Sequence, residues 1–84
     1  MLITIGSITT ATRAAKLIKR NIGAYAQVVA TPSELNRGGC SYSVRFNDRY
    51  ELEVRRLADE YEIPIKRIYK ESQNGKKRVY YDIS

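Results

Sequence analysis

The chain has 84 residues, 43% of them apolar, with 15 Lys and Arg against 9 Asp and Glu and a formal net charge of +6. That length supports one small domain, residues 1–84, with enough apolar content for a single core. The one cysteine excludes an internal disulfide and a multi-cysteine zinc site, and the lack of histidine excludes any Cys-His or Ser-His nucleophile pair, so neither a metal nor a cofactor is expected.

Leu2-Ile3-Thr4-Ile5 is β-branched, ends at Gly6-Ser7 and predicts a short buried strand. No basic leader or long apolar stretch accompanies it, so a soluble cytoplasmic protein without a membrane segment is the expectation. Thr9 and Thr10 each offer a hydroxyl to cap the helix that follows. Ala11, Ala14, Ala15, Ile18 and Ile22 recur at helical spacing, while Arg13, Lys16, Lys19 and Arg20 fall mostly opposite. Gly23 stands where a left-handed residue would end that helix.

Tyr25 to Ala30 predicts the second strand, with Ala26, Val28 and Ala30 on one face, and Thr31-Pro32 stops it. Ser33 to Gly39 is a loop with a single turn at Ser33-Glu34-Leu35. Ser41 to Phe46 alternates, with Tyr42, Val44 and Phe46 facing one side. Asn47-Asp48 opens the second helix, and Asp48 with Glu51 resembles a capping box. Its buried stripe is Tyr50, Val54, Leu57, Ala58 and Tyr61; Leu52 does not fit it. Past Pro64, Ile65 to Lys70 predicts a fourth strand with poor alternation. Asn74-Gly75 signals a two-residue type I′ hairpin turn, and Val79, Tyr81 and Ile83 alternate in a last strand.

The order β-α-β-β-α-β predicts an α+β fold, a ferredoxin-like βαββαβ sandwich with an additional C-terminal hairpin strand. In that arrangement the first and third strands are antiparallel neighbours. Cys40 then lies near Gly6, Ser7, Thr9 and Thr10, at the start of the first helix. A helix N-terminus favours an anion, so a thiolate there has a lowered pKa. Gly38 and Gly39 would leave the sulfur approachable and offer backbone N–H groups, and Arg37 is a further cation. The plainer alternative is a cysteine packed as a small hydrophobe.

Ile5-Gly6-Ser7 leading into Thr9-Thr10-Ala11, then Ala15-Lys16-Leu17, Thr31-Pro32-Ser33-Glu34-Leu35, Cys40 and Arg45-Phe46 stand in an order that resembles the selenium/sulfur carrier-like family of small domains. The resemblance covers roughly residues 2 to 65. Members usually carry glycine directly after the cysteine; here Ser41 takes that place and the glycines precede it. The resemblance implies a thiol, Cys40, that accepts or hands on sulfur or selenium as a persulfide. Such a carrier works with a donor or acceptor protein and is not a stand-alone enzyme.

A second class of function rests on charge. Lys66, Arg67 and Lys70 in the fourth strand and Lys76, Lys77 and Arg78 at the hairpin accompany Tyr69 and Tyr80. With Tyr25 on the same open sheet face, they would suit a basic module binding RNA or a protein, in which aromatic rings stack bases and cations meet phosphates. The Gly-aromatic-Gly-aromatic run of RNA-recognition motifs is missing. The last strand also leaves a sheet edge through which two copies could pair as a homodimer.

Overall fold

The computed structural model describes residues 1–36 and 41–84. Among them, the elements follow the predicted order: β1 (Leu2–Thr4), α1 (Ile8–Ile22), β2 (Ala26–Ala30), β3 (Tyr42–Phe46), α2 (Glu51–Glu60), β4 (Arg67–Asn74) and β5 (Lys77–Asp82). Single 3₁₀ turns stand at Ser33–Leu35 and Asp48–Tyr50. The strands form one antiparallel sheet in the order β2-β3-β1-β4-β5. The first and third strands are neighbours as expected, in the register Leu2↔Arg45, Ile3↔Val44, Thr4↔Ser43.

One sheet face carries both helices. Ile3, Ala26, Val44, Phe46 and Ile68 meet Ala11, Ala14, Ala15 and Ile18 of α1 and Val54, Leu57 and Ala58 of α2 in one core. The alanines on α1 are fully or almost fully buried, Ile18 is the one large residue of that stripe that is fully buried, and Ile22 is partly buried against the same core. Leu52, which the helical stripe excluded, is 66% exposed.

Both helix ends follow local chemistry, with two corrections to the predicted caps. Ser7, not Thr9 or Thr10, caps α1: its Oγ accepts the Thr10 N–H at 3.2 Å. Asn47 takes the place expected of Asp48. Its Oδ1 accepts the Arg49 N–H at 3.0 Å, and Glu51 begins α2 after an intervening 3₁₀ turn. Gly23 closes α1 as predicted, at φ 74°, with its N–H on Lys19 O. α2 closes through Glu62 at φ 54°. The Ile63 N–H reaches Ala58 O and the Glu62 N–H reaches Asp59 O, the paired bonds of a Schellman ending built without glycine.

The last hairpin differs most from expectation. β4 runs Arg67–Asn74 rather than Ile65–Lys70, and β5 runs Lys77–Asp82. Asn74 pairs with Lys77, so the central turn residues are Gly75 and Lys76 rather than Asn74 and Gly75. Gly75 has φ 64° and Lys76 has no positive φ. That is the pattern of a type II′ turn, with glycine first, in place of the type I′ turn.

The face away from the helices is not an open platform. Leu2, Thr4 and Ser43 lie there and are 0%, 1% and 0% exposed. The C-terminal corner of β2 and the β4–β5 tip are diagonal corners of the sheet, and right-handed twist lifts such corners toward one another. Accordingly Glu34 and Leu35, after β2, line one cleft with Lys77, Arg78, Val79 and Tyr80 of β5.

Candidate functional site

The corner that joins β1, α1 and β3 gathers most of the described residues expected around the thiol. β1 ends at Thr4, and the Ile5 and Gly6 N–H groups both donate to Tyr42 O at 3.0 Å. Gly6 has φ 112°, a left-handed conformation in which a β-carbon is strained, and this lets the chain turn from the sheet into Ser7 and α1. On the other side of β3 the Thr31 N–H donates to Ser41 O at 2.9 Å, and the Thr31 and Ser43 hydroxyls share a 2.7 Å hydrogen bond. Ser41 and Tyr42 are thus fixed between the end of β2 and the start of α1.

Arg37, Gly38, Gly39 and Cys40 lie outside the described residues. Of the remaining predicted pocket residues, Gly6, Ser7, Thr9 and Thr10 come together at the α1 N-terminus. Ser7 Oγ is engaged as an acceptor by the Thr10 amide and keeps its own proton to donate. Among the described residues the Ile8 and Thr9 amides meet no acceptor, as the first N–H groups of a helix do. No acidic side chain stands in that first turn, so nothing on the helix opposes an anion placed before it. Ile8, 53% exposed, adds an apolar surface at the same corner.

The residues of the basic alternative do not form one cluster. Arg67 pairs with Asp82 at 3.5 Å and Arg78 with Glu71 at 3.4 Å. Tyr69 and Tyr80 are half-buried beside Asp82 and Glu71 in the ladder. Lys66 donates its N–H to Thr4 O at the opposite end of the sheet from Lys76 and Lys77, which flank the hairpin tip. Tyr25, 73% exposed, precedes the far edge strand β2.

A charged hub that the sequence reading did not single out holds that face together. Glu71 receives both carboxylate contacts from Arg45 Nε at 3.0 Å, a further one from Arg45 Nη2 at 3.0 Å, and the Arg78 contact. Its side chain is 12% exposed. Burial raises the Glu71 pKa, but the Arg45 hydrogen bond and the charges of Arg45, the Met1 ammonium and Arg78 outweigh it, and the net displacement is downward. Arg45 is raised in turn, first by its hydrogen bond to Glu71. Only the three-dimensional pairing reveals this hub: Arg45 and Glu71 are 26 residues apart and sit on strands separated by β1. The cleft that Glu34 and Leu35 line with Lys77, Arg78, Val79 and Tyr80 was likewise illegible.

Among the described residues no group of three or more carboxylates and thiols could hold a metal ion, and no helix is long and apolar enough to cross a membrane. No curated protein and no solved structure matches the chain. The family model described as "Putative Se/S carrier protein-like" matches residues 1–70, which span β1 through the first half of β4 and include Cys40 and the whole corner around Gly6 and Ser7. The chain belongs to that Se/S carrier protein-like family.

Proposed function

We propose that the protein is a small thiol carrier, with Cys40 as the group that accepts and hands on sulfur or selenium. The observation that carries this reading is the double hydrogen bond from Ile5 and Gly6 to Tyr42 O, two residues beyond Cys40. Ser41 and Tyr42, which follow Cys40 directly in the sequence, are both hydrogen-bonded at this corner. The partial positive charge of the α1 N-terminus, the Ser7 hydroxyl proton and the lack of acidic residues in the first turn all favour a thiolate there. We also read the sheet order β2-β3-β1-β4 as a ferredoxin-like sandwich extended by β5.

The transfer step follows from one thiol and no base. The Cys40 thiolate attacks the terminal sulfur of a donor persulfide, R–S–SH. A new S–S bond forms on Cys40 while the donor S–S bond breaks, and the donor leaves as the thiolate R–S⁻. No electrons are gained or lost overall, so no cofactor is needed. The reverse attack by an acceptor thiol unloads the carrier. A selenium atom in the terminal position follows the same course. With no second cysteine, Cys40 has no resolving partner within the chain, so the cargo stays until a partner protein takes it. Such partners are expected in the same reducing, cytoplasmic compartment.

The rate of Cys40 alkylation against pH tests the physical basis of this proposal. An apparent pKa below the free-thiol value of about 8.5 is expected, and a value at or above it removes that basis.

A further inference from the structure

β5 is an edge strand whose backbone and side chains are self-complementary in one register. The Ile83 N–H donates to Ile68 O on β4, and Asn74 pairs with Lys77 across the turn. Backbone groups alternate sides along a strand, so residues 77, 79, 81 and 83 face β4. The N–H and C=O groups of Arg78, Tyr80 and Asp82 therefore face outward, where no further strand follows among the described residues.

We propose that this edge pairs with β5 of a second copy of the chain, antiparallel about a two-fold axis at Tyr80. Outward-facing residues must pair with one another, which permits few registers. Centring on Tyr80 uses all three of them: Arg78 opposes Asp82 of the other copy, Tyr80 opposes its own equivalent, and each such pair exchanges two N–H···O bonds. The opposite charges of Arg78 and Asp82 stand in line on one face, with side chains 47% and 44% exposed. Their present partners, Glu71 and Asp82's Arg67, extend each pair into a row of alternating charge. On the other face Val79 opposes Tyr81, a β-branched and aromatic pair, and covers part of a Tyr81 side chain that is 56% exposed. Moving the axis to Arg78 or to Asp82 places like charges opposite each other, while axes at Val79 or Tyr81 set Tyr80 against Arg78 or Asp82 and lose the Arg78–Asp82 pairs. The opposite edge, β2, reads Ala-Gln-Val-Val-Ala and has no charge to fix any register. β5 lies wholly beyond residues 1–70, so the pairing would be a property of the added hairpin rather than of the region matched to the family. β4 separates β5 from β1, which leads into Gly6 and Ser7, and the pairing does not depend on the carrier reading.

Sedimentation of the full chain across a concentration series, with single and mixed charge reversals, tests the register. Arg78→Glu alone and Asp82→Lys alone each create two like-charge pairs, and each is expected to weaken self-association about tenfold or more. Mixing the two restores both opposite-charge pairs, so a one-to-one heterodimer is expected. A wild-type chain that stays monomeric, single variants that associate like wild type, or a mixture that stays apart overturns the proposal. A second measurement is independent of those charges. Tyr80→Cys in a Cys40→Ser background faces itself across the axis at a Cα separation near 5.5 Å, within disulfide reach. It is expected to cross-link under mild oxidation faster than Tyr81→Cys, which faces Val79. Equal rates would overturn the register.

Discussion

Glu71→Gln isolates the charged hub that draws the hairpin over the sheet. The wild-type carboxylate meets the Arg45 guanidinium through contacts of 3.0 Å and Arg78 at 3.4 Å, with only 12% of its side chain exposed. A hydrogen bond to a charged group contributes about 1.5–3 kcal/mol. The amide keeps one acceptor for Arg45, and Arg45 is 30% exposed, so water recovers part of the loss. The expected cost is therefore about 1–2 kcal/mol, each kcal/mol lowering Tm by about 4–8 °C in a domain of this size. The pH profile gives a sharper signature. The folded-state pKa of Glu71 lies below its ordinary value, so its stabilisation is complete above that ordinary value, about 4.3. It fades as pH falls through the lower folded-state value. Urea unfolding of both proteins from pH 7 downward should show a gap that is constant to about pH 5 and then narrows. A gap below about 0.5 kcal/mol at pH 7, or one that does not change with pH, would refute the reasoning.

Three further outcomes test the local accounts. Ser7→Ala removes the cap from α1 and should cost about 1 kcal/mol by denaturant unfolding; the same variant should raise the apparent pKa of Cys40 in alkylation, because a hydroxyl donor and helix order are lost together. Glu62→Gly relieves a left-handed glutamate and should stabilise by up to about 1 kcal/mol, read as a rise in Tm. Gly23→Ala, at φ 74° with open space around the added β-carbon, should destabilise by about 1–2 kcal/mol through backbone strain alone, which a thermal melt would register.

Periodic segments were the legible part of this fold. The alanine stripe of α1, Gly23 beyond its end and the alternation of Tyr42, Val44 and Phe46 each reflect a face packed against one neighbour, and such a face repeats at the period of its element. The antiparallel neighbourhood of β1 and β3, and with it the corner at Gly6, followed from element order. Misreadings arose where several residues offered the same chemistry. Ser7, Thr9 and Thr10 are all capping types, and the choice falls to the residue that follows the turn at Gly6. Asn47 and Asp48 compete in the same way. The hairpin slipped by one residue because Asn-Gly and Gly-Lys both suit a two-residue turn, and the β4–β5 pairing, not the local propensity, selects Gly75-Lys76. Leu2 shows what local pattern cannot carry. It is fully buried on the face away from the helices, where it stands between Arg45 of β3 and Tyr69 of β4, residues far from it in the chain.

The central claim is that Cys40 carries the cargo. Intact-protein mass spectrometry after incubation with a protein persulfide donor, followed by addition of an acceptor thiol, tests it most directly. The account predicts a mass gain of one sulfur atom that maps to Cys40, is lost on adding the acceptor, and does not form in Cys40→Ser. A wild-type chain that gains no sulfur under conditions where the donor loads another thiol protein would contradict it.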